Sequence, residues 1–321
     1  MNRDELKARL RDRKIVIIAQ LGVLAFILVG LLGSSIIPEK QTATKTVVNL
    51  EDVSVTKELP EITPINNVSV RAEAVYIWDV RAGQVLYEKN AEKSLPLASI
   101  TKLMTTLLAY ELINEDTEAS ITAQALRQDG ETGFVEGERL SLKNLTHLAL
   151  LSSSNDAAFA LAAAVGNSLG DKDPASQFIS GMNIRAEELG LDSLEFKNPT
   201  GLDISLTEPG ATGSAKDVSL LVEYILNNYP ELLEPTQDSA ARVYSNSGEY
   251  HDAENTNQAL YAIPNLLGSK TGYTDLAGGN LTIAYDAGFD RPIIITVLGS
   301  TYSERFTDVL TLMRAVNETI K

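Results

Sequence analysis

Apolar and polar positions divide the chain into stretches of different character. From Ile15 to Ile37 nearly every residue is apolar, with Gln20, Ser34 and Ser35 as the exceptions. As a helix these residues rise about 34 Å, enough to cross a bilayer core of about 30 Å. A buried soluble helix of that length keeps a polar stripe, and none is visible. The stretch 15–37 is therefore expected to be a transmembrane anchor. The preceding tail, 1–14, holds Arg3, Lys7, Arg9, Arg11, Arg13 and Lys14 against Asp4, Glu5 and Asp12. That basic excess places the tail on the cytoplasmic side and exports the rest. A cleaved signal peptide is the alternative, with Gly33, Ser34 and Ser35 as its cleavage region, but its apolar core would be shorter, about 7–15 residues.

Residues 38–69 are polar, aperiodic and interrupted by Pro60 and Pro64, the pattern of a flexible linker. From Val70 onward, periodic segments begin. Ala74–Trp78 and Gln84–Tyr87 flank a turn at Val80–Gly83 and predict a hairpin. A helix-rich stretch follows from Ser99 to Leu226, with Leu103, Met104, Leu107, Leu108 and Leu112 at helical spacing. Leu281–Tyr285 and Pro292–Leu298 flank a second turn, Asp286–Asp290, and a last helix is predicted over Ser303–Ile320. Strands, helices, strands and a helix in that order predict one α+β domain over 70–321, its antiparallel sheet formed by both chain ends.

Composition narrows the chemistry. The absence of Cys excludes disulfides, thiolate metal sites and a cysteine nucleophile. A net charge of −16 argues against nucleic-acid binding. Only two histidines exist. His147 lies in an apolar helical run and is expected to be core or half-buried. His251 follows Gly248-Glu249-Tyr250 in a polar stretch and is expected at the surface. Neither neighbourhood suggests a metal site.

Three short motifs carry the remaining chemistry. Ser99-Ile100-Thr101-Lys102 opens the apolar helix, and residues three apart share a helix face. A serine hydroxyl needs a base. A lysine serves only when burial and a nearby cation lower its pKa from about 10.4. Ser-x-x-Lys is expected about once by chance in a chain of this length, and Ser54-Val55-Thr56-Lys57 is such a copy, placed in the linker without an apolar helix behind it. Ser99 sits instead where a helix begins and backbone N–H groups converge, a place to hold an oxyanion. Ser153-Ser154-Asn155 can aim a hydroxyl and a carboxamide into one cleft; its plain alternative is a helix N-cap. Lys270-Thr271-Gly272, placed on an edge strand, would supply the second cation. Thr271 would meet a substrate carboxylate, Gly272 would admit a substrate backbone, and the Tyr273 N–H would be an oxyanion donor beside Ser99.

Together and in this order the motifs resemble those of class A β-lactamases and penicillin-binding proteins. From Ala72 to the end the chain resembles the low-molecular-mass penicillin-binding proteins, the D-alanyl-D-alanine carboxypeptidase family. Leu97–Thr105, Ser153–Ala158, Asn198-Pro199-Thr200-Gly201-Leu202-Asp203 with Ser214–Asp217, and Lys270–Thr274 with Ala277-Gly278 carry the likeness. The resemblance implies a β-lactamase/transpeptidase-like domain with a helical subdomain. It implies Ser99 as acylated nucleophile, Lys102 as general base, and Ser153 and Asn155 for proton relay and positioning. Lys270, Thr271 and Arg305 would hold the substrate's terminal carboxylate. The substrate would be a peptidoglycan stem peptide ending in D-Ala-D-Ala, with β-lactams as covalent inhibitors and no metal or organic cofactor. The expected location is the outer face of a bacterial cytoplasmic membrane, single-pass through Ile15–Ile37. Many members carry a β-rich C-terminal domain and a C-terminal amphipathic helix, whereas this chain ends soon after the catalytic region. Three alternatives stay open: an endopeptidase on cross-links, a class A-like β-lactamase, and a non-catalytic wall-binding or β-lactam-sensing module. A β-lactamase of that class needs an acidic residue placed to activate the deacylating water, and Glu208, which precedes Pro209-Gly210, does not fit that role.

Overall fold

Val75, Ile77, Leu281, Ile283, Ile293, Ile295 and Val297 alternate along their strands with Ala74, Tyr76, Ala284, Ile294 and Leu298. The first set faces one apolar cluster and the second faces another. Such strands are covered on both sides, which explains why their sequences read as nearly continuous apolar runs. In the computed structural model, which describes residues 65, 68–130, 133–170 and 173–320, five strands form this sheet. They are β1 (Ala74–Asp79), β2 (Gln84–Lys89), β3 (Leu266–Thr274), β4 (Gly278–Asp286) and β5 (Pro292–Ser300). Their order is β3-β4-β5-β1-β2, antiparallel throughout. Both chain ends thus build one sheet, as the sequence predicts, and β3 lies at its edge.

Among the described residues there are six α-helices: α1 (Lys102–Leu112), α2 (Leu142–Leu151), α3 (Asn155–Leu169), α4 (Pro174–Glu188), α5 (Ala215–Asn228) and α6 (Glu304–Thr319). On one face of the sheet α6 buries Phe306, Val309, Leu312, Met313 and Val316. Asp308 on the same helix accepts from the N–H groups of Arg71 and Ala72, each at 2.9 Å, and from Ser300 Oγ at 2.6 Å. This fixes the start of the domain to its last helix. On the other face α1 is buried on nearly every side, so it forms the centre of the helical subdomain. Each fully buried leucine there contributes roughly 1.5–3 kcal/mol relative to exposure.

Three expectations change. Ser99 does not open an α-helix: Ala98–Thr101 is a 3-10 turn and α1 begins at Lys102. The turn is tight because Asn280 Nδ2 on β4 holds the carbonyls of Pro96 and Leu97 at 2.9 and 3.1 Å. His251 is not a surface residue. It lies on a hairpin, Ala240–Tyr244 with Tyr250–Glu254, rather than in a polar loop. It is 8% exposed, its Nε2 is 2.6 Å from Glu138 Oε1, and Phe134 meets its ring edge-on. A carboxylate brought from a distant loop makes burial affordable for the imidazole. Ile65 and Val68, in the span read as linker, pack against the α6 side of the sheet. His147 is half-buried, as expected, and burial lowers its pKa. The tail 1–14, the apolar stretch 15–37 and the linker up to residue 64 lie outside the described residues. Among the described residues no helix is long and apolar enough to cross a membrane.

Candidate active site

The three motifs meet where the 3-10 turn, the α2–α3 junction and edge strand β3 converge. Lys102 is fully buried, and its Nζ contacts Ser99 Oγ at 2.9 Å, Asn155 Oδ1 at 2.7 Å and the Thr200 carbonyl at 2.8 Å. Burial first, and the positive charge of Lys270 second, push its pKa well below the usual lysine value. A neutral amine has two N–H donors and one lone pair. The Thr200 carbonyl can only accept. Asn155 presents its oxygen because its Nδ2 donates to the Asp129 carbonyl at 2.5 Å. Ser99 alone among the three partners carries a proton to give. The neutral amine therefore satisfies every partner only with its lone pair on the serine hydroxyl, the geometry of a general base.

The second motif combines a helix cap with two groups that line the cleft, through different residues. Ser154 caps α3, its hydroxyl accepting from Ala157 N at 3.1 Å. That leaves Ser153 and Asn155, one on each side, to face the cleft. Ser153 has φ +62°, and Ala98, just before the nucleophile, has φ +48°. Left-handed backbone at residues other than glycine stores strain of order 1–3 kcal/mol, and here it sits on both sides of one cleft.

Lys270 is buried at the other side. Its Nζ donates to Ser153 Oγ at 2.8 Å and to the Thr271 carbonyl at 3.0 Å. Burial and the nearby Arg305 lower its pKa to about 7. Thr271 exchanges a 2.6 Å hydrogen bond with Thr256. Gly272 is where β3 presses on the nucleophile turn: a Cβ there would lie 2.8 Å from the Leu97 carbonyl oxygen and 3.2 Å from Ser99 N. Arg305, on the first turn of α6, donates from Nη1 to the Gly272 carbonyl at 3.0 Å. Tyr273 is 46% exposed at the rim. All nine candidates thus belong to one locality. Ser99, Ser153, Asn155, Thr271, Gly272, Tyr273 and Arg305 line a cleft of about 310 Å³, and the amines of Lys102 and Lys270 lie behind it. Ser54 and Lys57 of the second Ser-x-x-Lys copy lie outside the described residues.

Other residues enter the site without a motif to announce them. Asn255, Thr256, Gln258 and Tyr302 line the cleft. The segment Asn198–Gly201, noted above only for its likeness, forms the floor under Lys102. Asn198 Oδ1 accepts from Thr200 N, Thr200 Oγ1 and Gly201 N, at 2.7–3.1 Å. Thr105 Oγ1 on α1 donates to the Pro199 carbonyl at 2.7 Å. Together these bonds aim the Thr200 carbonyl at the amine. Thr256 and Tyr302 carried no sequence signal, since only tertiary contact gives them a role.

The lysine pair sets a pH dependence. A base needs Lys102 neutral, so kcat/KM rises with pH as that amine loses its proton. If Lys270 meets a substrate carboxylate, as the resemblance implies, it must be charged to do so, and kcat/KM then falls as pH passes about 7 in the free protein. A bound carboxylate favours the charged form, so the falling limb of kcat lies at higher pH than that of kcat/KM. Coincident falling limbs in the two profiles would remove Lys270 from carboxylate recognition.

Comparison with known proteins follows the same line. A family model described as D-alanyl-D-alanine carboxypeptidase matches residues 61–301. The D-alanyl-D-alanine carboxypeptidase DacF of Bacillus subtilis (strain 168) is 31% identical over 248 residues, covering 75% of this chain and 61% of DacF. The D-alanyl-D-alanine carboxypeptidase DacC of Escherichia coli (strain K12) is 31% identical over 245 residues, covering 72% of this chain and 57% of DacC. The chain spans about three fifths of the length of these two relatives. The crystal structure of penicillin-binding protein D2 from Listeria monocytogenes in its ampicillin-bound form is 30% identical with a TM-score of 0.67, covering 78% of this chain and 98% of that one.

Proposed function

The chain belongs to the D-alanyl-D-alanine carboxypeptidase family, and from that membership we propose that it hydrolyses the terminal D-Ala-D-Ala bond of peptidoglycan stem peptides through an acyl-enzyme on Ser99. The observation that carries this reading is the buried Lys102 amine, 2.9 Å from Ser99 Oγ with its pKa lowered. Ser99 Oγ bonds to the carbonyl carbon of the penultimate D-alanine while its proton passes to Lys102 Nζ. The departing nitrogen takes the proton that Lys102 Nζ received, with the Ser153 hydroxyl, which accepts from Lys270 Nζ at 2.8 Å, as the relay. The C–N bond breaks and D-alanine leaves. Water then attacks the ester with Lys102 again as base, and the proton returns to Ser99 Oγ. The substrate's carboxylate lies between Lys270, Thr271 and Arg305. The N–H groups of Ser99 and Tyr273 receive the oxyanion. β-Lactams acylate the same oxygen.

Two alternatives are disfavoured. Among the described residues that line the cleft none carries a carboxylate, so deacylation of the kind expected of a class A β-lactamase has no acidic group there. A non-catalytic wall-binding or sensing module has no need for a lysine buried against a serine hydroxyl. The apolar stretch Ile15–Ile37 and its basic flank support a membrane tether, with 70–321 on the outer face of a bacterial cytoplasmic membrane.

The test is D-alanine release from a pentapeptide ending in D-Ala-D-Ala, together with mass mapping of a labelled-penicillin adduct. Stoichiometric release and a label on Ser99 are expected. A label elsewhere, or a wild type that binds the peptide without releasing D-alanine, would sink the proposal.

A further inference from the structure

Arg305 is a buried cation, 4% exposed, at the wall of the substrate cleft. Among the described residues no carboxylate pairs with it. Burial lowers its pKa, opposed by charge interaction with the Tyr302 and Tyr273 hydroxyls and by a hydrogen bond with Tyr302. Its Nη1 meets the Gly272 carbonyl, and its Nε is buried without a partner. A long side chain with so few hydrogen bonds needs another constraint to hold one orientation. Two rings supply it. The guanidinium carbon lies 4.6 Å from the centre of the Tyr302 ring and 4.7 Å from that of Phe306. Phe306 belongs to the apolar cluster on the α6 side of the sheet. Tyr302 instead lines the cleft, is 53% exposed, and meets Tyr273 edge-on with ring centres 5.1 Å apart. Its contacts to Arg305 and Tyr273 are what this half-exposed ring offers the site.

We propose that Tyr302 is a positioning residue for carboxylate recognition. Its ring face holds the Arg305 guanidinium toward the cleft, and its edge contact with Tyr273 ties that guanidinium to the strand that passes Ser99. The inference rests on the function proposed above in so far as the carboxylate is the substrate's. Without the ring, Arg305 gains water and rotamer freedom, and carboxylate affinity falls while the acyl-transfer groups stay in place.

The experiment is a double-mutant cycle on D-alanine release with Tyr302→Ala, Tyr302→Leu, Tyr302→Phe, Arg305→Ala and the Tyr302→Ala/Arg305→Ala pair. Tyr302→Ala is expected to raise KM about tenfold with kcat within about twofold, the size of a partly desolvated cation–π contact. Tyr302→Leu, which keeps bulk but not the ring face, behaves like the alanine variant. Tyr302→Phe stays within about threefold of wild type. The double variant is no worse than Arg305→Ala alone, because Tyr302 acts through Arg305. Penalties that multiply in the double variant, or a phenylalanine variant as impaired as the alanine one, would overturn the proposal. The same cycle read on acylation by a labelled penicillin separates the two readings. A wild type that takes the label but releases no D-alanine defeats the carboxypeptidase reading and leaves this one to be decided by the label. A wild type that neither takes the label nor binds acetyl-D-Ala-D-Ala defeats both.

Discussion

Lys102→Met is expected to slow acylation of Ser99 by about 10²–10⁴-fold, the usual contribution of a general base. Its effect on stability is expected to be far smaller, because two changes oppose each other. The variant removes a buried amine whose desolvation is unfavourable, and it leaves Asn155 Oδ1 and the Thr200 carbonyl without their donor. Lys102→Arg separates charge from basicity. A guanidinium brings a positive charge and donors but has no lone pair to offer at accessible pH. It should be as slow as the methionine variant. The rate of labelled-penicillin uptake, followed in single turnovers, decides the matter: an arginine variant that keeps wild-type acylation would show that Lys102 supplies only charge.

Gly201→Ala is the second large effect, and it acts without touching substrate. Gly201 has φ +81°, and a Cβ there would lie 1.9 Å from the Ala98 carbonyl oxygen and 2.6 Å from Thr101 Oγ1. Either the floor segment or the nucleophile turn must move. If the floor moves, the Thr200 carbonyl leaves Lys102. If the turn moves, Ser99 leaves it. Both routes predict a loss of at least about 100-fold in D-alanine release, since small misplacements of reacting groups carry penalties of that order. Strain and overpacking together are expected to cost roughly 2–5 kcal/mol in a denaturant titration. Gly190→Ala is the control: its φ is +71° but nothing lies within 4 Å of the added methyl, so it reports backbone strain alone. Equal behaviour of the two variants would remove the steric argument.

These two residues also mark how far the sequence could be read. Lys102 was legible because Ser-x-x-Lys is local, and its need for burial and a second cation pointed onward to Lys270. The sheet was legible because β1, β4 and β5 are apolar runs between turns. Gly201 and Asn198 were visible only as a likeness, since nothing in their own neighbourhood says that the loop will lie beneath an amine supplied by α1. Asn280 reads as one polar residue in a strand, yet it bridges the nucleophile turn and, through its Oδ1, Gly299 N at 2.8 Å. His251 was misplaced because its partner, Glu138, is 113 residues away in sequence. Local pattern gives the period of an element and the chemistry of a motif. It does not give the partner that makes a buried polar group tolerable.

The sheet that joins both chain ends bears on how the protein is made. Ala72 and Asp308 bond across 236 residues, and β1 finds its partner β5 only after the helical part has been synthesised. Such long-range pairing is slow to form. A chain still emerging holds Ser99 and Lys102 together in sequence but lacks β3 and Lys270. Its lysine is then solvated, has no second cation beside it, and keeps its ordinary proton. An unfinished chain therefore lacks the buried amine beside Ser99, which is assembled only when the last strands arrive.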